Sequence, residues 1–232
     1  MDKKQKIVLI TGSNGELGKV IVKRFAAEGY HVIGTVRPGK LPESTENSVK
    51  YTEVDLLNEL SCQQLITNII KTHGQLDAVI NIAGGFAMGN FESTAEEDID
   101  QMIDINFKTA FFISKPAANA MKSLPGEGKI VLISGKPAFT HSKGKNTLAY
   151  SISKSMLLQL SALLNEEFKK KGVVTTVVAP GTMDTKSNRD AMPDSDFSQW
   201  VQLDNVAKTI AFICADDGKE IRDTVIKLYG NF

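Results

Sequence analysis

The chain has 232 residues, of which 42% are hydrophobic and 23% are charged, as in an ordinary globular protein. This length predicts one domain spanning residues 1–232, with a core of useful size. Lysine plus arginine and aspartate plus glutamate each number 27, so no net charge attracts nucleic acid or an anionic membrane. The composition favours a small-molecule substrate and neither of those partners.

Two further features predict a cytoplasmic protein. Cys62 and Cys214 lie far apart, with no histidine or cysteine nearby at metal-ligand spacing, which argues against a disulfide framework and a zinc site. The apolar run at residues 7–10, behind a charged N-terminus, is too short for a signal peptide or a membrane span. We therefore expect a reducing compartment and no bound metal.

Apolar runs alternate with helical patterns along the chain. Short runs rich in β-branched residues predict strands at 7–10, 31–36, 49–54, 78–82, 130–133, 173–178 and 224–228. Apolar residues at helical spacing predict a helix from 17 until Gly29, and further helices at 60–70, 96–121, 148–168 and 206–215. The alternation predicts an α/β fold, a doubly wound parallel sheet (Rossmann-type) of about seven strands with helices on both faces.

Two stretches interrupt this alternation. Residues 37–48 are polar with two prolines, which predicts a connecting loop with little or no helix. Residues 181–200 form a long irregular insertion after the sixth predicted strand, and long loops at strand carboxyl ends are usually functional. We interpret the insertion at 181–200 as a substrate lid.

A glycine-rich loop lies between the first predicted strand and the first predicted helix. Its glycines allow a tight turn and let a pyrophosphate approach backbone N–H groups at the helix N-terminus, where the helix dipole favours negative charge. The sequence therefore predicts a dinucleotide site. Its loop residues are Gly12, Ser13, Asn14, Gly15, Leu17 and Gly18.

The end of the second predicted strand indicates which dinucleotide fits. NAD sites usually carry an acidic residue there that binds the ribose 2′-hydroxyl, whereas this strand ends in Arg37. An arginine binds a 2′-phosphate through charge-assisted hydrogen bonds, so we predict NADP(H) in preference to NAD(H). The alternative is that Arg37 is a solvated loop residue.

Later strand ends supply more candidates for contact with the dinucleotide. Open α/β sheets bind ligands at the carboxyl ends of their strands. Asp55 follows the third strand and is a candidate acceptor for the adenine amino group. The remaining candidates at these strand ends are Leu56, Asn81, Ala83 and Gly84.

Tyr150 and Lys154 lie four residues apart on a predicted helix, so their side chains share one face. A free phenol has a pKa near ~10 and is a poor acid or base at neutral pH, but a nearby ammonium favours the phenolate. The pair is therefore a candidate acid/base, although the same spacing also occurs by chance in exposed helices.

Together these motifs resemble the short-chain dehydrogenase/reductase family. The glycine loop, Asp55, the segment 81–84, Asn106, the Tyr150 and Lys154 pair, and the segment 180–185 occur in the family's order and approximate spacing, over essentially the whole chain. The resemblance implies that Tyr150 donates a proton to the group being reduced. It also implies that Lys154 holds the nicotinamide ribose and lowers the pKa of Tyr150, and that Asn106 supports a proton-relay water. By the same resemblance, the nicotinamide and pyrophosphate are lined by Pro180, Gly181, Met183 and Thr185.

The sequence departs from the family pattern at two places. Glu16 stands where the family has its middle glycine, and the glycine is instead at position 15. Gly135 stands where the family has its catalytic serine, and Ser134 comes one residue early. Adjacent side chains of an extended segment point to opposite faces, so Ser134 can serve in catalysis only if the backbone turns there.

Both departures are similar to the dihydropteridine reductase branch of the family. A quinonoid dihydropterin accepts hydride readily, so it needs less polarisation by a serine. We therefore predict an NADPH-dependent reductase of a small conjugated C=N or C=O compound. The alternatives are a ketone or aldehyde reductase that uses Ser134, and a non-catalytic NADP(H)-binding sensor.

Two groups of apolar residues leave alternatives open. Phe86, Met88 and Phe91 fit either a flat aromatic substrate slot or the core, and at this stage we prefer the core. The helices at 96–121 and 148–168 are apolar on more than one face. Because family members commonly dimerise through these two helices, we expect a homodimer or homotetramer.

Overall fold

The sheet of this protein has the predicted parallel architecture. A computed structural model describes residues 5–42, 48–222 and 224–230. Seven parallel strands form one sheet in the spatial order β3-β2-β1-β4-β5-β6-β7. They are β1 (Ile7–Thr11), β2 (His31–Val36), β3 (Val49–Glu53), β4 (Ala78–Asn81), β5 (Gly128–Ile133), β6 (Val173–Pro180) and β7 (Val225–Leu228). The predicted fold class is confirmed.

Helices cover both faces of this sheet. They are α1 (Glu16–Ala27), α2 (Glu59–His73), α3 (Glu96–Ile103), α4 (Thr109–Met121), α5 (His141–Gly144), α6 (Leu148–Phe168), α7 (Lys186–Ala191) and α8 (Leu203–Cys214). α2, α4 and α6 pack on one face, and α1 and α8 pack on the other. None of the described helices is both long and apolar enough to cross a membrane.

The alternation of side chains along each strand builds the two cores. In β1, Leu9 packs with the α2, α4 and α6 layer, whereas Val8 and Ile10 pack with the α1 and α8 layer. All five residues of β1 are buried because helices cover both faces of a parallel sheet. This central strand delivers the glycine loop to the carboxyl edge of the sheet.

The structure differs from the sequence prediction mainly inside helices and loops. The helix predicted at 96–121 is interrupted by a wider π-helical turn at Asp104–Lys108. Such turns occur frequently at functional sites, and Asn106 lies within this one. Short helices α5 and α7 form in segments predicted to be irregular. Residues 37–42 contain no helix, as predicted, and the rest of that loop at 43–47 lies outside the described residues.

Candidate active site

The predicted site residues gather at the carboxyl edge of the sheet. β1 leads into the glycine loop, β4 into residues 82–91, and β5 into Ser134 and Gly135. β6 leads into residues 181–200, the predicted lid, which we call the lid from here on. Because all these strands are parallel neighbours, their ends meet at one cleft.

Close packing explains two of the three glycines in the loop. Gly12 has a φ of +63°, and a Cβ added there would lie 3.0 Å from the backbone of Ala83. A Cβ added to Gly18 would collide with the carbonyl oxygen of Gly12. Gly15 immediately precedes α1 and has no side chain that could cap the helix. The loop thus presents the uncapped N-terminus of α1, which suits an anionic group.

The other loop residues differ in what they offer a ligand. Ser13 is fully buried, and its hydroxyl donates to the carbonyl oxygen of Thr35 at 2.9 Å. Leu17 is buried in the core beneath the loop, so it offers the cleft only backbone. Asn14 is exposed, and its side chain is accessible to a ligand.

Arg37 and Asp55 lie at the edge where the adenosine end of a dinucleotide is expected. Arg37 is exposed directly after β2. The nearby carboxylate of Glu53 accepts the backbone N–H of Gly39 at 2.7 Å and so holds the turn that follows Arg37. Asp55 is exposed and accepts from the N–H of Leu57 at 3.0 Å. Leu56 packs against the core rather than standing in the cleft.

The residues after β4 shape the floor of the cleft. The Asn81 side chain is buried and donates to the hydroxyl of Ser114 at 3.1 Å, so it faces α4. The hydroxyl of Thr11 accepts the N–H of Ala83 at 3.1 Å and ties this segment to β1. A Cβ on Gly84 would lie 2.5 Å from Oδ1 of Asn106 and 3.2 Å from Nζ of Lys154. Gly84 therefore lets the floor pass close to the polar cluster.

Asn106 and Lys154 form a buried polar cluster beside Tyr150. Asn106 accepts the N–H of Gly85 at 3.0 Å and donates to the hydroxyl of Ser153 at 3.1 Å. The ammonium of Lys154 donates to the carbonyl oxygen of Ile133 at 2.8 Å. These bonds fix both side chains at the ends of β4 and β5.

Burial governs the protonation of Tyr150 and Lys154. Removal from water raises the pKa of Tyr150 to about 12 and lowers the pKa of Lys154 to about 8. The pKa of Tyr150 is therefore raised in this arrangement and not lowered as expected, because desolvation of the phenol dominates. At neutral pH Tyr150 keeps its proton and is suited to act as an acid.

Gly135, and not Ser134, faces the Tyr150 hydroxyl. A Cβ built on Gly135 would lie only 2.6 Å from the Tyr150 oxygen. Ser134 is buried, and its hydroxyl donates to the carbonyl oxygen of Lys154 at 3.0 Å. The backbone around Gly135 is extended, so the two neighbouring side chains point apart. In this structure the Ser134 hydroxyl is therefore bound to the backbone of α6 and does not face the Tyr150 hydroxyl, as the predicted catalytic role would require.

The apolar residues after β4 are exposed, which contradicts our preference for a core position. Phe86, Met88 and Phe91 are 61%, 69% and 87% exposed. Phe86 makes an edge-on contact with the Tyr150 ring, with centroids 5.0 Å apart. The segment is anchored by Gly89, whose carbonyl accepts the N–H of Leu148 at 2.8 Å. An apolar wall therefore stands beside the candidate proton donor.

The lid begins at the end of β6 and contains ordered structure. The N–H of Gly181 donates to the carbonyl oxygen of Leu228 at 2.7 Å, which holds the residue after Pro180 on the edge strand β7. Met183 packs with the core around α8. The Thr185 hydroxyl caps α7 by accepting the N–H of Asn188 at 3.1 Å.

The end of the lid is aromatic. Trp200 packs on Phe197, with ring centroids 4.7 Å apart. The guanidinium of Arg189 lies 4.5 Å from the centre of the Phe197 ring. This chain of contacts joins α7 to the last residue of the lid.

Sequence reasoning missed several groups that position the site. Ser153 contacts Asn106, and the carbonyl of Ile133 holds Lys154, but neither residue was assigned a role from the sequence. The spacing of Ser153 one residue before Lys154 was the available signal for the first. A backbone carbonyl carries no sequence signal. Glu16, noted only as a departure from the family loop, contacts the lid.

Known proteins provide an independent comparison. Residues 6–196 match the family model described as short chain dehydrogenase. An uncharacterized oxidoreductase of Thermotoga maritima is 32% identical over 182 residues, covering 76% of this chain and 71% of that protein. An acetoacetyl-CoA reductase of an Acinetobacter species is 29% identical over 186 residues, covering 76% and 74%. The solved structure of ElxO with NADP bound has a TM-score of 0.87 at 27% identity, and the match covers 97% of each chain.

Proposed function

Because the chain belongs to the short-chain dehydrogenase/reductase family and is an NAD(P)-dependent oxidoreductase, we propose that it reduces a small conjugated C=N or C=O compound with NADPH. A quinonoid dihydropterin is the substrate type that we favour. The observation that carries this proposal is the pairing of Gly135 with the Tyr150 hydroxyl. A substrate that is already polarised by its own conjugation needs no serine hydroxyl at that point.

The cleft fits a nicotinamide dinucleotide. The uncapped N-terminus of α1 and the close approach permitted at Gly12 suit a pyrophosphate. Arg37 and Asn14 are exposed at neighbouring strand ends, where a 2′-phosphate would need donors. The NADP found in ElxO supports the same cofactor type here. When bound, NADPH would supply the hydride.

Residues of this chain donate the proton and hold the proton donor and the cleft around it in place. Tyr150 keeps its proton at neutral pH and can donate it to the nitrogen or oxygen that becomes negative on reduction. Lys154 is fixed by Ile133 and stands next to Gly84, where its ammonium can bind a ribose hydroxyl. Asn106 is locked from both sides and holds the floor of the cleft in place.

The apolar wall favours a flat substrate. Phe86 is 61% exposed and contacts the ring of Tyr150, so a planar conjugated ring can pack against it within reach of the phenol. Met88, two residues further along the same segment, is also exposed. The wall thus presents aromatic and thioether surface, which suits a conjugated ring better than a small aliphatic ketone.

One experiment tests the proposal directly. Oxidation of NADPH and NADH is measured with quinonoid dihydropterin and with simple ketones as acceptors. We expect the fastest turnover with NADPH and the pterin, and a loss of about 100-fold or more in Tyr150→Phe with unchanged NADPH binding. Pterin turnover that survives in Tyr150→Phe would refute the mechanism.

A ketone reductase is the second candidate, and the similarity to an acetoacetyl-CoA reductase favours it. That activity would require Ser134 to leave the carbonyl of Lys154 and turn towards the substrate. A large loss of ketone turnover in Ser134→Ala, with no effect on pterin turnover, would favour this candidate.

We also propose that the protein is a cytoplasmic homodimer or homotetramer. Leu163 and Ile152 on α6 are 60% and 44% exposed, which gives this helix an apolar outer face. Sedimentation at micromolar concentration measures the oligomeric state, and a monomer would refute this assignment.

A further inference from the structure

One side chain fastens the lid to the glycine loop. Oε2 of Glu16 accepts the backbone N–H of Lys186 at 2.7 Å. Oε1 of Glu16 accepts the backbone N–H of Ser187 at 3.2 Å and the Ser187 hydroxyl at 3.1 Å. The first residue of α1 therefore binds the first turn of α7, although 170 positions separate Glu16 from Lys186 in the chain.

The charge of Glu16 suits this position. Its carboxylate lies in the first turn of α1 and also receives the first N–H groups of α7, two places where helix dipoles favour negative charge. The hydrogen bond from Lys186 is the main cause of a lowered pKa for Glu16. The carboxylate is thus ionised at neutral pH, and its hydrogen bonds are charge-assisted.

The rest of the lid is held by its own contacts and by its base. Arg189 forms a two-pronged ion pair with Asp184 at 2.6 and 2.8 Å, and Gln202 donates to the same carboxylate at 3.1 Å. The N–H of Asp184 donates to the carbonyl oxygen of Val201 at 2.9 Å. Three hydrogen bonds join the described residues of α7 to the loop 11–18, and all three end on Glu16.

We propose that Glu16 is a latch that holds α7 on the glycine loop and thereby limits how fast the nucleotide cleft opens. Breaking three hydrogen bonds at one carboxylate releases α7, while the ion pair between Asp184 and Arg189 keeps the freed helix in shape. The effect on the dinucleotide rests on the NADP(H) binding proposed above. The latch itself does not, since it joins two parts of the chain.

Hydrogen exchange of the protein alone tests the latch. In Glu16→Ala the amides of Lys186 and Ser187 should exchange about tenfold faster or more, the effect of losing at least one charge-assisted hydrogen bond. Trypsin should also cleave faster after Lys186 and Arg189. Glu28→Ala, which removes an exposed carboxylate just beyond the other end of α1, is the matched control and should leave both rates unchanged.

Two more variants separate a latch from a general loss of stability. Glu16→Gln keeps an acceptor oxygen without the charge, so its exchange rates should fall between those of the native protein and Glu16→Ala. Ser187→Ala removes the partner hydroxyl, and adding it to Glu16→Ala should produce no further increase. Far-ultraviolet circular dichroism of each variant confirms that the fold is retained.

Stopped-flow release of NADPH tests the consequence for the cleft. We expect NADPH to dissociate about tenfold faster from Glu16→Ala than from the native protein or Glu28→Ala, in step with the faster exchange. Unchanged exchange at Lys186 and Ser187 in Glu16→Ala would overturn the latch. Faster exchange without faster release would overturn its control of the cleft. Failure of the native protein to bind NADPH would instead refute the proposed function. The hydrogen-exchange rates of Lys186 and Ser187 would still test the latch in that case.

Discussion

Replacing Lys154 by methionine should make the protein more stable and inactive at pH 7. Burial lowers the pKa of Lys154 from its ordinary 10.5 to about 8, so its ammonium is held in the folded state at a cost. At about 1.4 kcal/mol per pKa unit, this cost is about 3 kcal/mol. The substitution also removes the hydrogen bond to the carbonyl oxygen of Ile133, which destabilises the folded state by about 1 kcal/mol. Lys154→Met should therefore gain about 2 kcal/mol, since methionine fills a similar volume.

The gain should depend on pH with a definite sign. Below pH 8 lysine is protonated in both the folded and unfolded states, and the full cost applies. Between pH 8 and 10.5 the unfolded state binds more protons, so the native protein becomes more stable as pH rises. Above pH 10.5 lysine is neutral in both states, so holding an ammonium no longer destabilises the native protein. Lys154→Met should then be less stable than the native protein by about 1 kcal/mol, because it lacks the hydrogen bond to Ile133.

Urea unfolding at a fixed protein concentration measures this difference across the pH range. Lys23→Met, at an exposed position of α1, is the matched control and should change the free energy of unfolding by less than about 0.5 kcal/mol at every pH. If Lys154→Met is destabilised at pH 7, or if its difference from the native protein does not vary between pH 7 and 10.5, the reasoning is refuted.

The other predictions concern cofactor binding, helix capping and the site opposite Tyr150. In fluorescence titrations, Arg37→Ala should weaken NADPH binding about 10- to 100-fold and leave NADH binding unchanged. Lys40→Ala in the same turn is the control and should change the binding of neither dinucleotide. Equal losses of NADPH and NADH binding in Arg37→Ala would contradict the predicted role of Arg37. Asn58→Ala removes the cap of α2 and should lower the free energy of unfolding in urea by about 1 kcal/mol. Gly135→Ser should reduce steady-state turnover about 100-fold, because its Cβ displaces the Tyr150 hydroxyl. A gain of ketone turnover in that variant would show that the tyrosine adjusts.

The sheet and its ligand edge were predictable because local patterns determine them. β1 is a buried, largely apolar run that is followed by a glycine, and β6 is a second fully buried strand that is followed by a glycine. A strand buried on both faces requires such a run whatever its neighbours are. Helical spacing was enough to predict that Tyr150 and Lys154 share one face of a helix.

The properties that failed to follow from sequence depend on contacts between distant segments. The raised pKa of Tyr150 reflects burial, which no spacing rule contains. Phe86 is exposed because Gly89 anchors its segment at the edge of the cleft, away from the core. The π-helical turn around Asn106 was not predicted, because the apolar periodicity of residues 96–121 is that of one continuous helix. Tertiary contacts decided each of these outcomes.

The aromatic end of the lid gives the protein a built-in optical probe. Trp200 is the single tryptophan of the chain, and it packs on Phe197, which in turn contacts Arg189 of α7. Movement of α7 must therefore alter the surroundings of this one indole. Its emission reports on the lid in unlabelled protein, so the rate of lid motion and the rate of turnover can be compared in one sample. That comparison identifies whether chemistry or the lid limits the enzyme.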